Sequence, residues 1–132
     1  MTKNFNINEF KCKCGKCDIN ELVYSNIVKV ANNLQILRDY LNTPIRINSA
    51  YRCVLHNIRI GGSKYSQHIL GKAVDITADG YTPDEVYEAV QKLRRDPRLK
   101  PIRFQGIGRY NTFTHLDIRD NYTTWDKRKW ET

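Results

Sequence analysis

Ala73-Val74-Asp75-Ile76-Thr77-Ala78-Asp79-Gly80-Tyr81-Thr82-Pro83-Asp84-Glu85 is the stretch whose reading decides the fold. Ala73 to Thr77 reads as a strand, short and rich in β-prone apolar residues. Thr82 then offers an N-cap, Pro83 a first-turn proline and Glu85 the returning half of a capping box, so a helix is expected from Pro83 to Arg95. Upstream, Leu22, Ile27, Val30, Ala31, Leu34, Leu37 and Leu41 recur at helical spacing and predict a longer helix, stopped by Pro44. Ile45-Arg46-Ile47-Asn48 alternates apolar and polar, as a half-buried strand does, and leads into Ser49-Ala50-Tyr51-Arg52. Cys53 to Tyr65 contains Gly61-Gly62 and no long period, which predicts a loop with at most a short helix. Downstream, Gly106 to Tyr110 and Thr112 to Ile118 predict two strands of a hairpin joined near Asn111. The expected class is α+β, a small antiparallel sheet with packed helices.

A chain of 132 residues fits one domain, here residues 1–132, with residues 1–18 as a cysteine-rich arm that lacks a clear period. It contains no internal repeat or low-complexity linker. A hydrophobic fraction of 40% with 27% charged residues is that of a soluble globular protein. No apolar run approaches the roughly 20 residues that span a bilayer, so no membrane insertion is expected. The Met1 to Asn6 segment lacks the apolar core and cleavage site of a secretory signal, and synthesis in a cytoplasm is expected.

The net charge of +8 and pI near 9.4 point to a polyanionic partner, either nucleic acid or an anionic cell wall. Basic residues cluster at Lys92, Arg94, Arg95, Arg98, Lys100 and Arg103 and again at Lys127, Arg128 and Lys129. No helix-turn-helix, zinc-finger or RNA-binding signature accompanies them, so no specific nucleic-acid recognition is expected.

Two of the three histidines are placed for metal chemistry. In Ser66-Gln67-His68-Ile69-Leu70-Gly71-Lys72-Ala73-Val74-Asp75 the histidine precedes a glycine turn and the aspartate lies on the following strand, so the turn can fold one ligand over the other. His115 comes from a different strand, where Asp117 points to the same face. Two histidines and a carboxylate match the three protein ligands of a catalytic zinc, whose fourth position stays open to water.

The whole pattern is Ser49-Ala50-Tyr51-Arg52, Ser66-x-His68-x-x-Gly71-x-Ala73-x-Asp75-Ile76, Gly106-x-Gly108-x-Tyr110 and Phe113-x-His115-x-Asp117. It resembles the zinc D-Ala-D-Ala carboxypeptidase family, the M15 peptidases, especially the short single-domain members found in phages and bacteria. That resemblance runs from Phe5 to Asp117 and implies the D-Ala-D-Ala carboxypeptidase/hedgehog-like zinc peptidase fold. It also implies a peptidase acting on stem peptides or cross-links of bacterial peptidoglycan, as a carboxypeptidase or endopeptidase beside a D-amino acid. His68, Asp75 and His115 match the zinc ligands, and Arg52 matches the arginine that stabilises the oxyanion. Ser66 matches the serine of the Ser-x-His step, where it binds substrate, orients a ligand or simply bonds to nearby backbone. Many members carry an Asp or Glu three residues before the last histidine ligand, and here that residue is Thr112, which cannot accept a proton near neutral pH. Asp117 is the substitute, either as general base or as a carboxylate that orients His115. The setting implied is a phage-type lysin, monomeric, acting at the wall after release.

Cys12, Cys14, Cys17 and Cys53 suit either a structural zinc or two disulfides, and a reducing cytoplasm favours metal. Short relatives of the family share such a cysteine-rich start and a Tyr-Arg-Cys step, which implies that the arm is tied to the loop after Arg52. His56 is expected to cap a helical turn, and Trp125, Trp130, Tyr122 and the basic tail to cover core surface, or else to edge a wall-binding surface. Two other readings compete with the peptidase: a non-catalytic zinc-containing module of the same fold, supported by Thr112, and a nucleic-acid binder resting on charge alone.

Overall fold

The computed structural model describes residues 1–129, so the expectation for Trp130 lies outside the described residues. The chain folds as one α+β domain around one hydrophobic core. Its strands are β1 (Ile45–Ser49), β2 (Ala73–Ala78), β3 (Gly106–Arg109), β4 (Thr114–Asp117) and β5 (Thr123–Asp126), ordered β1-β2-β4-β3-β5 in one sheet. The β1–β2, β2–β4 and β3–β4 pairs are antiparallel, as expected. β5 departs from the expected antiparallel sheet: it lies parallel to β3, with Gly108 opposite Trp125, so the sheet is mixed.

Helix α1 (Glu21–Leu41) begins where the Asn20 side chain accepts from the Val23 amide. It ends at Asn42, whose left-handed backbone (φ 53°) lets its N–H reach Arg38 O, two residues before Pro44 could act. Val23, Ile27, Val30, Ala31, Leu34, Leu37 and Leu41 form its buried stripe. Leu22, expected in that stripe, is 71% exposed, and its neighbour Val23 takes the inward position. A short helix, α2 (Val54–Arg59), sits in the expected loop. Helix α3 (Pro83–Arg95) has the expected reciprocal capping box between Thr82 and Glu85. It crosses the sheet over β2, β3 and β4, and Val86, Val90 and Leu93 join Val74, Ile76, Ile107 and Leu116 in the core.

The arm is more structured than its sequence suggests. A 3-10 turn over Ile7–Phe10, capped reciprocally by Asn6 and Glu9, drives Phe5 and Phe10 into the core. Among the described residues no helix is long and apolar enough to cross a membrane.

Strand alternation separates two faces. Val74 and Ile76 of β2, Ile107 of β3 and Leu116 of β4 serve the core, which sends Asp75, Gly106, Gly108, His115 and Asp117 to the opposite face. That face carries the site.

Candidate metal centre and groove

Register aligns the site. Asp75 on β2 stands opposite His115 on β4, His115 opposite Gly108 on β3, and Gly108 opposite Trp125 on β5. Directly opposed residues share a face, so these side chains form one row across four strands.

His68 joins this row from outside the sheet. It lies in a 3-10 turn, Gln67–Leu70, whose N-cap Ser66 accepts the His68 amide through its hydroxyl at 3.1 Å. Gly71 ends the turn in the left-handed region (φ 73°), and a Cβ there would also press on Val23. The chain then reverses into β2, and the histidine folds back over Asp75.

His68 Nε2 lies 3.2 Å and His115 Nδ1 2.9 Å from Asp75 Oδ1. The backbone carbonyl of Ala50, 2.6 Å from His68 Nδ1, can only accept, so Nδ1 carries the hydrogen and Nε2 presents its lone pair. Asp117 does the same for His115: its Oδ2 is 2.7 Å from Nε2, leaving Nδ1 toward Asp75. Nε2 of His68, a carboxylate oxygen of Asp75 and Nδ1 of His115 all fall within 4.8 Å of one another. Two imidazole lone pairs, each oriented by a hydrogen bond from behind, and a carboxylate are a donor set for a divalent cation of zinc type.

Asp117 is fully buried, and both of its oxygens are engaged. Arg119 donates Nε to Oδ1 at 2.8 Å, Nη2 to Oδ2 at 2.7 Å and its backbone N–H to Oδ1 at 3.1 Å. Burial alone would raise the Asp117 pKa, but the bonds from Arg119 and His115 prevail and hold it well below the carboxylate range. Asp117 does not line the groove. Of the two roles expected for Asp117, general base or carboxylate that orients His115, this geometry suits the second: the carboxylate faces the rear of the imidazole and is paired with a guanidinium. Asp75 is likewise held low, burial being outweighed by the two imidazoles of His115 and His68 against it. Burial pushes His115 down, yet its bonds to Asp117 and Asp75 give a net rise.

Arg52 is held at the edge of the cluster. Nη2 is 3.9 Å from Asp75 Oδ2, and Nη1 donates to Asn57 Oδ1 at 2.9 Å. Asn57 is buried and donates onward to Ser63 O at 3.0 Å, while the Arg52 amide bonds to His68 O at 3.1 Å. Burial lowers the Arg52 pKa despite the nearby Asp75 charge.

The row opens into a groove of about 560 Å³. Arg52, Ser66, His68, Asp75 and His115 line it, and Tyr110, Phe113 and Trp125 form an aromatic wall. Tyr110 stacks on Phe113 at 4.3 Å and accepts a hydrogen bond from Trp125 Nε1 at 3.0 Å. Among the described residues Asp75 is the only carboxylate lining the groove, and Thr112 is exposed on the hairpin turn outside it. His56 stands on α2, also outside it.

Three contributors were not legible beforehand: Asn57, Arg119 and Trp125. Trp125, expected either to cover core surface or to edge a wall-binding surface, lines the groove with its ring 5.0 Å from that of His115. The sequence held one signal for it. Glycines at alternate strand positions mark places where another group comes close. Gly106 leaves its Cβ space to the Asp117 carboxylate and Gly108 leaves its own to the Trp125 indole.

Among solved structures, the Serratia marcescens L-Ala D-Glu endopeptidase ChiX is similar at 16% identity with a TM-score of 0.40, covering 81% of this chain and 93% of that one. A search of curated proteins finds no match. The family model described as Peptidase M15 matches residues 3–117, a span that includes His68, Asp75 and His115, and the chain belongs to the peptidase M15 family.

Proposed function

We propose that this protein is a zinc-dependent peptidase that hydrolyses an amide bond in the stem peptides or cross-links of bacterial peptidoglycan. The observation that carries the reading is the convergence of His68 Nε2, Asp75 and His115 Nδ1 within 4.8 Å on the groove floor. These residues would hold the ion. Zinc, when bound, supplies a Lewis acid that polarises a carbonyl and makes water a stronger nucleophile.

The remaining steps belong to the chain's own groups. Arg52 presents a guanidinium, fixed by Asn57, to the side of the cluster where negative charge would develop on the scissile carbonyl oxygen. Asp117 keeps the proton of His115 on Nε2 and so preserves the lone pair on Nδ1. Ser66 shapes the turn that presents His68. Tyr110, Phe113 and Trp125 offer an apolar wall against which a peptide can lie. The setting we infer is that of a phage-type lysin, acting as a monomer at the wall after release; the net charge of +8 supports attraction to an anionic polymer.

One observation favours a second reading, a zinc-containing module that binds wall peptide without cutting it: among the described residues Asp75 is the only carboxylate in the groove. Digestion of purified peptidoglycan, followed by mass spectrometry of the released fragments, separates the two. New amino and carboxyl termini that are absent with His115→Ala support the peptidase. Binding to the wall with no new termini supports the module.

A further inference from the structure

Cys12, Cys14 and Cys17 come from the N-terminal arm and Cys53 from the start of α2, yet their four sulfurs lie within 4.8 Å of one another. Cys14 and Cys17 Sγ are 3.4 Å apart, Cys12 and Cys53 3.8 Å, and Cys14 and Cys53 3.9 Å. A disulfide requires about 2.05 Å. Four thiolates around a tetrahedral zinc at about 2.3 Å stand about 3.8 Å from each other, the edge of that tetrahedron. The observed separations cluster around that edge.

Backbone geometry supports the same conclusion. The Lys16 amide points to Cys14 Sγ and the Cys53 amide to Cys12 Sγ, both at 3.4 Å, and N–H donors of this kind stabilise sulfur in its anionic form. Gly15, with φ 70°, makes the turn that brings Cys14 and Cys17 together. Lys11, Lys13 and Lys16 alternate with the cysteines, and their charge offsets the net −2 expected of a tetrathiolate zinc. Between Phe10 and α1 the arm has no helix or strand to hold it.

We propose that Cys12, Cys14, Cys17 and Cys53 bind a structural zinc ion that fastens the N-terminal arm to the segment carrying Arg52. Cys53 directly follows Arg52 and is the N-cap residue of α2. The arm also bonds to this segment through Tyr51 N to Phe10 O at 3.1 Å. The zinc thereby fixes the backbone on both sides of Arg52. This last consequence rests on the proposed role of Arg52; the metal site itself does not.

The test uses the intact chain, reduced and loaded with cobalt(II), which reports its ligands optically. Wild-type protein should show intense thiolate-to-cobalt charge-transfer bands in the near ultraviolet and strong tetrahedral bands in the visible. His68→Ala/His115→Ala should keep those bands, whereas Cys14→Ser/Cys17→Ser should lose them and keep the weaker absorption of the other site. Zinc loading of the wild type should also protect the four thiols from a thiol reagent. Absence of the charge-transfer bands from the wild type, free reactivity of all four thiols with zinc present, or loss of four hydrogens by mass on purification without reductant, would overturn the proposal. Failure of the histidine site alone would leave the thiolate bands intact, so the two readings fail separately.

Discussion

Gly106 on β3 stands opposite Asp117 on β4, and the buried carboxylate occupies the space that any side chain at 106 would need. The absence of a Cβ at one position thus sets the place of the group behind His115. Gly106→Ala should displace Asp117 from both Arg119 and His115. A loss of about 1–3 kcal/mol is expected, as for overpacking of a tight interior. Denaturant unfolding measures the loss, and zinc affinity should fall with it. Unchanged stability would mean that the carboxylate can move at no cost.

Asp117→Asn distinguishes positioning of His115 from base catalysis. A group that orients a metal-binding imidazole changes metal affinity by about 10–100-fold when it is replaced. A general base instead removes the rising limb of the pH–rate profile. The expected result is weaker zinc binding with the shape of the profile preserved. Loss of the limb at full zinc occupancy would assign the base to Asp117.

The shifts of Asp117 and Arg119 also predict acid behaviour. The Asp117 pKa is depressed in the folded chain, so its contribution to stability is present above the ordinary carboxylate value of about 3.9 and is lost as pH falls through its lower folded value. Asp117→Asn removes that contribution at neutral pH. The stability difference between wild type and variant should therefore shrink on acidification below about pH 4, measured by denaturant titration across pH. A difference independent of pH would contradict the pairing.

Proton and metal compete for His115. Its pKa is raised, so the folded chain holds a proton there at higher pH than a free imidazole would. Metal binding must displace that proton. Zinc affinity, measured against a chromophoric chelator, should already begin to fall above the unperturbed value of about 6.5 as pH is lowered. In metal-free protein the sign reverses: the stabilisation from charged His115 is present below that value and is lost as pH rises through the raised one. An affinity flat from about pH 8 to 6.5 would contradict the shift.

Arg52→Lys tests the guanidinium. The pair of contacts to Asn57 and toward Asp75 uses two nitrogens of a planar fork, which an ammonium cannot reproduce. Zinc should be retained while kcat on wall peptide drops by about 10²–10³, the scale of removing one oxyanion donor. Wild-type kcat in Arg52→Lys would exclude a transition-state role.

Legibility in the sequence followed locality. Helix α3 could be read because its capping box, first-turn proline and apolar stripe lie within its own residues. The three cation-binding candidates were readable from their motif; register aligns Asp75 with His115, and the turn ending at Gly71 folds His68 over them. β5 was not readable: Thr123–Asp126 is short and mostly exposed, with no buried alternation, and it pairs in parallel with β3 rather than with β4, its neighbour in sequence. Phe5 and Phe10 enter the core from an arm too short to show a period. Leu22 fitted the helical stripe nearly as well as Val23, and only packing distinguished them. Asn57 and Arg119 bond to near neighbours, Arg52 and Asp117, but no motif marks those bonds in the sequence, and Trp125 is announced only by Gly108.

The most direct test of the account is peptide release from purified peptidoglycan as metal-free protein is titrated with zinc, compared with His68→Ala. Release should rise in step with filling of the site formed by His68, Asp75 and His115, and it should be absent from His68→Ala at any zinc concentration. Release that persists without metal, or in His68→Ala, would contradict the assignment of these residues as the centre of the reaction.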